Sequence, residues 1–372
     1  MTVRDRRKDT AVGLGAIVVP GELSRNAPEG IAPSTGSLFS DSLAYLEVAG
    51  RSTIERTIER FVRAEVDAVS VLQDEAGSRG VKPSFTAFEN VEFQTVPDPY
   101  PAIRQKLQEY SQSGIEHSFL LFGNIYAETD LLDLFYFHRE ARRNATRTLN
   151  REGALDLWVV DCLKAQDSDL GALFSQPKTT GSSYFIREYV NRLTTFRELR
   201  RLASDLLQGR CVARPSGREV KRGIWIDEGA EVHRWARVVA PAYIGRASKI
   251  MQDTLITRQS SVEKNCCVDY GTVVEDSSIL QNTEIGICLD VCHAIANGNK
   301  LLSLDRDVVI EISDPAVMRS NYPLPKPATA RKWASNISLF NRRKQRQTTP
   351  AGLQPAGSAP ERRGFEINSM KG

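Results

Sequence analysis

Stepping by six residues from Ile226 meets Val232, Val238, Ile244, Ile250, Ile256, Val262, Val268, Val274 and Leu280, an unbroken aliphatic row. A second row two positions earlier runs Ala230, Ala236, Ala242, Ser248, Thr254, Ser260, Cys266, Thr272 and Ser278, all small. An amphipathic helix repeats at 3.6 residues and a half-buried strand at 2, so neither produces a strict six. A triangular coil of short strands does. Each strand sends one aliphatic side chain into a narrow prism, the small residue fits near a corner, and stacked coils cover one another's open edges. The rows predict a left-handed parallel β-helix over 222–292, about four coils of about 18 residues. Ile285 falls one residue early, which places a slip in register there.

Before residue 210 the pattern changes to short apolar runs alternating with amphipathic stretches. Strands are expected at Ala11–Val19, Ala68–Leu72, Ser118–Phe122 and Leu155–Val160. Helices are expected at Ser52–Ala64, where Ile54, Ile58 and Phe61 share a face, at Tyr100–Ser111 and Thr129–Arg142, and one or two within Tyr184–Leu207. Such alternation predicts βαβ units, a mostly parallel sheet and helices on both of its faces. The expected organisation is therefore a basic tail (1–10), an α/β domain (11–209), a linker (210–221), the β-helix (222–292), an extension (293–325) and a basic tail (326–372).

Charge sharpens this picture. The chain carries 49 Lys/Arg and 46 Asp/Glu, but ten of the basic and two of the acidic residues lie from Lys326 onward. A slightly acidic body lacks the phosphate-neutralising excess of a dedicated nucleic-acid binder, so no nucleic-acid partner is expected. In the tail, Trp333, Ile337 and Phe340 recur among basic residues over 331–346. This is expected to be a solvated, largely disordered tail with a transient helix, the alternative being a basic amphipathic helix in weak contact with a membrane surface or a partner. No apolar run reaches the roughly 18–20 residues of a membrane span. The run after Arg4, Arg6, Arg7 and Lys8 is interrupted by Gly13 and Gly15, which reads as a buried first strand rather than a secretory leader. The six cysteines show no zinc-site spacing, and a cytoplasmic location is expected.

Three segments carry a family resemblance. Val48-Ala49-Gly50-Arg51-Ser52-Thr53-Ile54-Glu55 resembles the loop-glycine-then-helix segment of the sugar-phosphate nucleotidylyltransferases, the NDP-sugar pyrophosphorylases. Leu120-Leu121-Phe122-Gly123-Asn124-Ile125, followed by Thr129-Asp130-Leu131 and Phe137-His138-Arg139, resembles their central block. Thr195 to Gly209 leading into Gly223-Ile224-Trp225-Ile226 is similar to the passage from last helix into hexapeptide β-helix in mannose-1-phosphate guanylyltransferase-like members. The resemblance implies a Rossmann-like, GT-A-like nucleotidyltransferase domain ahead of the β-helix. It also implies attack of a sugar-phosphate oxygen on the α-phosphorus of a nucleoside triphosphate, with Mg²⁺ offsetting charge.

Carried over by position, the resemblance places Arg25 and Asn124 in the catalytic role. Gly21, Gly50 and Gly123 fall at the nucleotide or sugar, and Asn124 and Asp130 at the metal. The chain departs from the family pattern after the first strand, where Gly21 and Arg25 stand in for a glycine-rich loop. No lysine occurs between Lys8 and Lys82. Asn124 occupies the metal-binding aspartate's position, and Asp130 also suits a helix cap. Lys82 or Lys164 could replace the missing loop lysine. Three readings follow: a pyrophosphorylase with rewired residues, a non-catalytic regulatory or scaffolding subunit, and a hexapeptide acyltransferase using His233 or His293 as base. The first two imply a nucleotide or sugar phosphate as ligand and homo- or hetero-oligomer contacts through the β-helix.

Overall fold

The computed structural model describes residues 12–21, 42–74, 90–166 and 183–321. Arg25, Lys82 and the basic segments at 1–10 and 331–346 lie outside them. Seven strands form the main sheet: β1 (Gly13–Val19), β2 (Ala68–Asp74), β3 (Val91–Val96), β4 (Ile115–Phe122), β5 (Ala145–Asn150), β6 (Gly153–Asp161) and β7 (Tyr184–Phe185). Their order is β7-β5-β6-β4-β1-β2-β3. The run β3-β2-β1-β4 is parallel throughout, whereas β6 is antiparallel to both β4 and β5. The protein is thus a mixed α/β structure with parallel-rich sheets.

Side-chain alternation along the strands builds two cores. Leu14, Ala16 and Val18 of β1 face α1 (Thr53–Arg63) and α3 (Leu131–Ala141), through Ile54, Ile58, Phe61, Leu134 and Phe135. Ile17 and Val19 face the opposite way, with Leu107 and Tyr110 of α2 (Pro99–Gln112) and Cys162 and Ala165 of α4 (Cys162–Gln166). Helices therefore cover both faces, as the alternation predicts. Within the apolar run 11–19, Gly13–Val19 forms an interior strand of the sheet between β4 and β2, buried from Leu14 to Val19.

Local chemistry starts the helices where expected. Ser52 and Glu55 form a reciprocal capping box on α1, with Ser52 N–H to Glu55 Oε2 at 2.8 Å and Glu55 N–H to Ser52 Oγ at 3.3 Å. Two strands had no clear apolar signature. β3 is a largely solvated edge, and β5 buries Thr146 and Thr148 rather than aliphatic residues. The stretch 184–207 holds β7, a short bridge at Val190–Asn191 and one described helix, α5 (Phe196–Leu207).

From residue 224 the chain coils. Ile226 pairs with Ile244 and Ile244 with Val262, each 18 residues on, in a parallel ladder. Two further ladders stack Val232 on Ile250 and Val268, and Val238 on Ile256 and Val274. The three ladders contain five, four and four parallel strands. Their inward residues form one core with Cys266, and the small row packs beside them. Ser248, Ser260 and Thr272 turn their hydroxyls onto carbonyls of the next coil, at 2.6, 3.2 and 2.6 Å.

The register slip comes one rung before the expected place. Val262 pairs with Ile279, 17 residues on, so the inward residue there is Ile279 and the small one is Ser277. Leu280 belongs to a different core. The last parallel rung, Ala294–Asn297, extends the coil past 292. The antiparallel strands Lys300–Ser303, Val308–Glu311 and Met318–Ser320 then close its end.

Leu280 contributes to the seam between the two halves. That core gathers Leu199, Leu202 and Leu206 of α5, Leu46, Val48 and Ala49, and Tyr243, Leu280 and Ile295 of the coil. Arg200 of α5, 5% exposed, reaches Asp276 of the coil at 2.6 Å.

Candidate functional site

In an open α/β sheet, ligands bind beyond the carboxyl ends of the strands at the point where strand order reverses. Here that point lies between β1 and β4. Gly21 follows β1, and Gly123 and Asn124 follow β4. The two strand ends are tied directly: Gly123 N–H donates to Val19 O at 2.9 Å, and Gly21 N–H donates to Asn124 Oδ1 at 3.2 Å. Ser42 Oγ donates to the same Oδ1 at 2.6 Å. Gly21 and Gly123 have φ of +109° and +79°, and the position of a Gly21 Cβ would meet nothing within 4 Å. The structure therefore brings together Gly21, Gly123 and Asn124, three of the residues that the family resemblance singled out, and adds Ser42, which no local motif marked.

The bonds of Asn124 decide its chemistry. A backbone N–H can only donate, so the atom facing Gly21 must be the amide oxygen. With that oxygen accepting two hydrogen bonds, the Nδ2 donors are the groups left without a partner among the described residues. The side chain, 8% exposed, is thus a donor toward any ligand. Asp130 is used differently again. Its Oδ1 accepts from Leu132 N–H at 3.0 Å and Asp133 N–H at 3.1 Å, as N-cap of α3. A neutral amide with its oxygen engaged and one capping carboxylate do not fit Mg²⁺, a hard cation that takes six oxygen ligands. Among the described residues no three His, Cys, Asp or Glu side chains gather into a cation site.

Gly50 lies at the seam. Val48 pairs with Arg51 across a two-residue turn in which Ala49 and Gly50 have φ of +50° and +87°, the pattern of a type I′ hairpin. Both turn N–H groups donate to one carboxylate of the coil: Ala49 to Glu263 Oε1 and Gly50 to Glu263 Oε2, each at 2.9 Å. Glu263 is 1% exposed. Burial, then the neighbouring Glu47, push its carboxyl up to about 7, against the lowering pull of the two N–H groups. Lys264 pairs with Glu47 beside it. A second buried carboxylate, Glu128, takes Val212 N–H at 2.7 Å, Ala213 N–H at 2.9 Å and the Tyr126 hydroxyl at 2.7 Å. Gly50 is therefore placed by its contacts with the coil.

The remaining candidates are accounted for individually. Lys164 pairs with Asp161 at 2.8 Å. His138 is fully buried, bonded to Thr146 Oγ1 at 2.8 Å, and burial lowers it to about 4, which suits a neutral core imidazole. His233 Nδ1 accepts from Trp235 N–H at 3.3 Å. His293 Nδ1 lies 2.7 Å from Asp276 Oδ2, and Asp276 also holds Arg200. No described helix is long and apolar enough to cross a membrane. The chain matches no family model and no curated protein.

Proposed function

We propose that this chain is a nucleotidyltransferase-like protein that binds a nucleotide or sugar phosphate without turning it over. In this reading it acts as a regulatory or scaffolding subunit in nucleotide-sugar or polysaccharide metabolism, in the cytoplasm. The α/β part is then a Rossmann-like, GT-A-like domain and the coil a left-handed β-helix, as the family resemblance implies. The β3-β2-β1-β4 order supports the first, because it reads 3-2-1-4 as in doubly wound nucleotide-binding sheets. The six-residue side and 18-residue coil support the second.

The observation that carries the reading is the engaged oxygen of Asn124. In the pyrophosphorylase-like pattern this position supplies a carboxylate to a metal. Here it keeps a pair of N–H donors, which suit a phosphate or hydroxyl oxygen and repel a cation. Beside it a Cβ on Gly21 would meet nothing within 4 Å and one on Gly123 only Gly21 O at 3.8 Å.

Assembly is the other half of the proposal. At one corner of the coil a large apolar residue is exposed after each strand of one ladder: Trp235, Met251, Tyr270 and Ile287, which lie three, one, two and two residues past the inward positions Val232, Ile250, Val268 and Ile285. Apolar residues exposed on successive coils in this way are suited to covering by a second subunit.

Titrating the protein with nucleoside triphosphates and sugar 1-phosphates in the absence of metal tests the site. We expect binding that Mg²⁺ does not strengthen. Asn124→Asp should retain the bonds to Gly21 and Ser42 but turn the outward donor into an anionic acceptor. Affinity should then fall roughly tenfold, the equivalent of one charge-assisted hydrogen bond. Wild-type protein that binds none of these ligands, or an aspartate variant that binds more tightly with Mg²⁺, would refute it.

A further inference from the structure

A second cleft, of opposite chemistry to the apolar corner, opens where the segment leading into the coil passes α1. It encloses about 250 Å³ between α1, Tyr126 and residues 212–216. Arg51, Arg56, Arg60, Arg63 and Arg214 line it, against a single carboxylate, Glu59. Arg56, Arg60 and Arg63 recur at i, i+4 and i+7 on α1, a spacing at which like charges repel on a helix surface. Arg214 completes the group from the opposite wall.

The available counter-charge does not satisfy this group. Arg51 and Arg63 share Glu59, the latter at 3.7 Å. Arg60 donates to Thr129 O rather than to a carboxylate. Arg214 has no ion pair among the described residues. Arg56 is the clearest case. It is 6% exposed and donates only to carbonyls, Val48 O at 2.8 Å, Ala49 O at 3.3 Å and Arg214 O at 3.0 Å. Its Nε is buried without a partner. Glu263 and Glu59 act on it only through space, and a buried guanidinium with no hydrogen-bonded anion is costly unless something supplies one. Neither the hairpin nor the 212–216 segment is loose: Ser216 N–H donates to Ala49 O at 3.0 Å, and Glu128 fixes Val212 and Ala213.

We propose that this cleft binds a compact phosphate-type oxyanion carrying two or more negative charges. Guanidinium forks match the oxygens of a phosphoryl group bidentately, which single-point cations do not. The volume suits phosphate or pyrophosphate rather than a whole nucleotide. An anion held between α1 and Arg214 would fasten the α/β part to the start of the coil. This site is independent of Asn124.

Calorimetric titration of the full chain with inorganic pyrophosphate, inorganic phosphate and a nucleoside triphosphate, at matched low ionic strength, tests it. We expect one pyrophosphate per chain, with phosphate weaker. The double variant Arg63→Ala/Arg214→Ala should lose about tenfold or more in affinity, since each charged contact contributes severalfold. Both side chains are exposed and neither supports the backbone, so circular dichroism should remain native. The corresponding double lysine variant should recover part of the loss, and the double alanine variant should lose affinity by the same factor in an Asn124→Asp background, as independent sites require. No pyrophosphate binding by wild-type protein, or equal binding by the double alanine variant, would overturn the proposal. So would loss in Asn124→Asp alone, because the anion would then belong to the strand ends.

Discussion

Replacing Gly50 by valine is expected to lower the unfolding free energy by roughly 3–5 kcal/mol, from positive-φ strain and overpacking acting together. The residue sits at φ +87° in the second central position of the hairpin, where a β-branched side chain is strongly disfavoured. Its Cβ would also lie 2.2 Å from Tyr243 Oη and 2.7 Å from Ser216 Cβ. Tyr243 cannot yield easily: it is fully buried and its hydroxyl is bonded to Asp227 Oδ2 at 3.2 Å. Any shift of the hairpin would pull Ala49 and Gly50 away from Glu263 and strand buried N–H groups. The urea midpoint of the variant measures the effect. A loss below about 1 kcal/mol would mean that the hairpin can leave the coil cheaply, against the shared core described above.

The second large effect is a dependence of stability on pH seated at Glu263. Its carboxyl titrates near 7 in the folded chain, against an ordinary value of 4.5. Between those values the folded chain retains a proton that the unfolded chain has released. The stabilisation is therefore complete below about pH 4.5 and is lost as pH rises through 7, by up to about 3 kcal/mol. His138 works in the opposite direction. Its imidazole is lowered from 6.5 to about 4, so stability falls as pH drops from about 6.5 toward 4. Glu47 is also raised by burial, so the absolute curve mixes several groups. Comparison with Glu263→Gln isolates one of them. At pH 5 the glutamine should cost about 1 kcal/mol, because its NH₂ faces one of the two turn N–H groups. Between pH 5 and pH 8 the difference should move toward the variant by as much as about 3 kcal/mol. Parallel curves for the two proteins would show that Glu263 does not titrate in this range.

The coil was legible because every rung repeats the same demand, one aliphatic residue inward and one small residue near a corner. Its slip was less so. Ile279 and Leu280 are adjacent and both aliphatic, and only the pairing of Val262 with Ile279 shows which one fills the prism. The parallel core of the sheet could be read from β1, β2 and β4. The antiparallel β6 could not, since a buried apolar run carries no mark of direction.

At the candidate site, Gly21, Gly123 and Asn124 were visible as residues at strand ends. The use of Asn124 was not, because its oxygen is fixed by partners 82 and 103 residues away. Gly50 shows the same limit. Its place in a turn is local, but the carboxylate that holds the turn lies 213 residues downstream. The arginine row on α1 is written at helical spacing in the sequence. What makes it a cleft is Arg214, 158 residues after Arg56 and bonded to it through its carbonyl.

Binding without turnover is checked by assaying pyrophosphate release from the purified full chain. The assay should be run with Mg²⁺, across the nucleoside triphosphates paired with several sugar 1-phosphates. We expect no turnover from folded protein under conditions where those ligands bind. Release of pyrophosphate that disappears in Asn124→Ala would contradict this and establish a working pyrophosphorylase at the ends of β1 and β4.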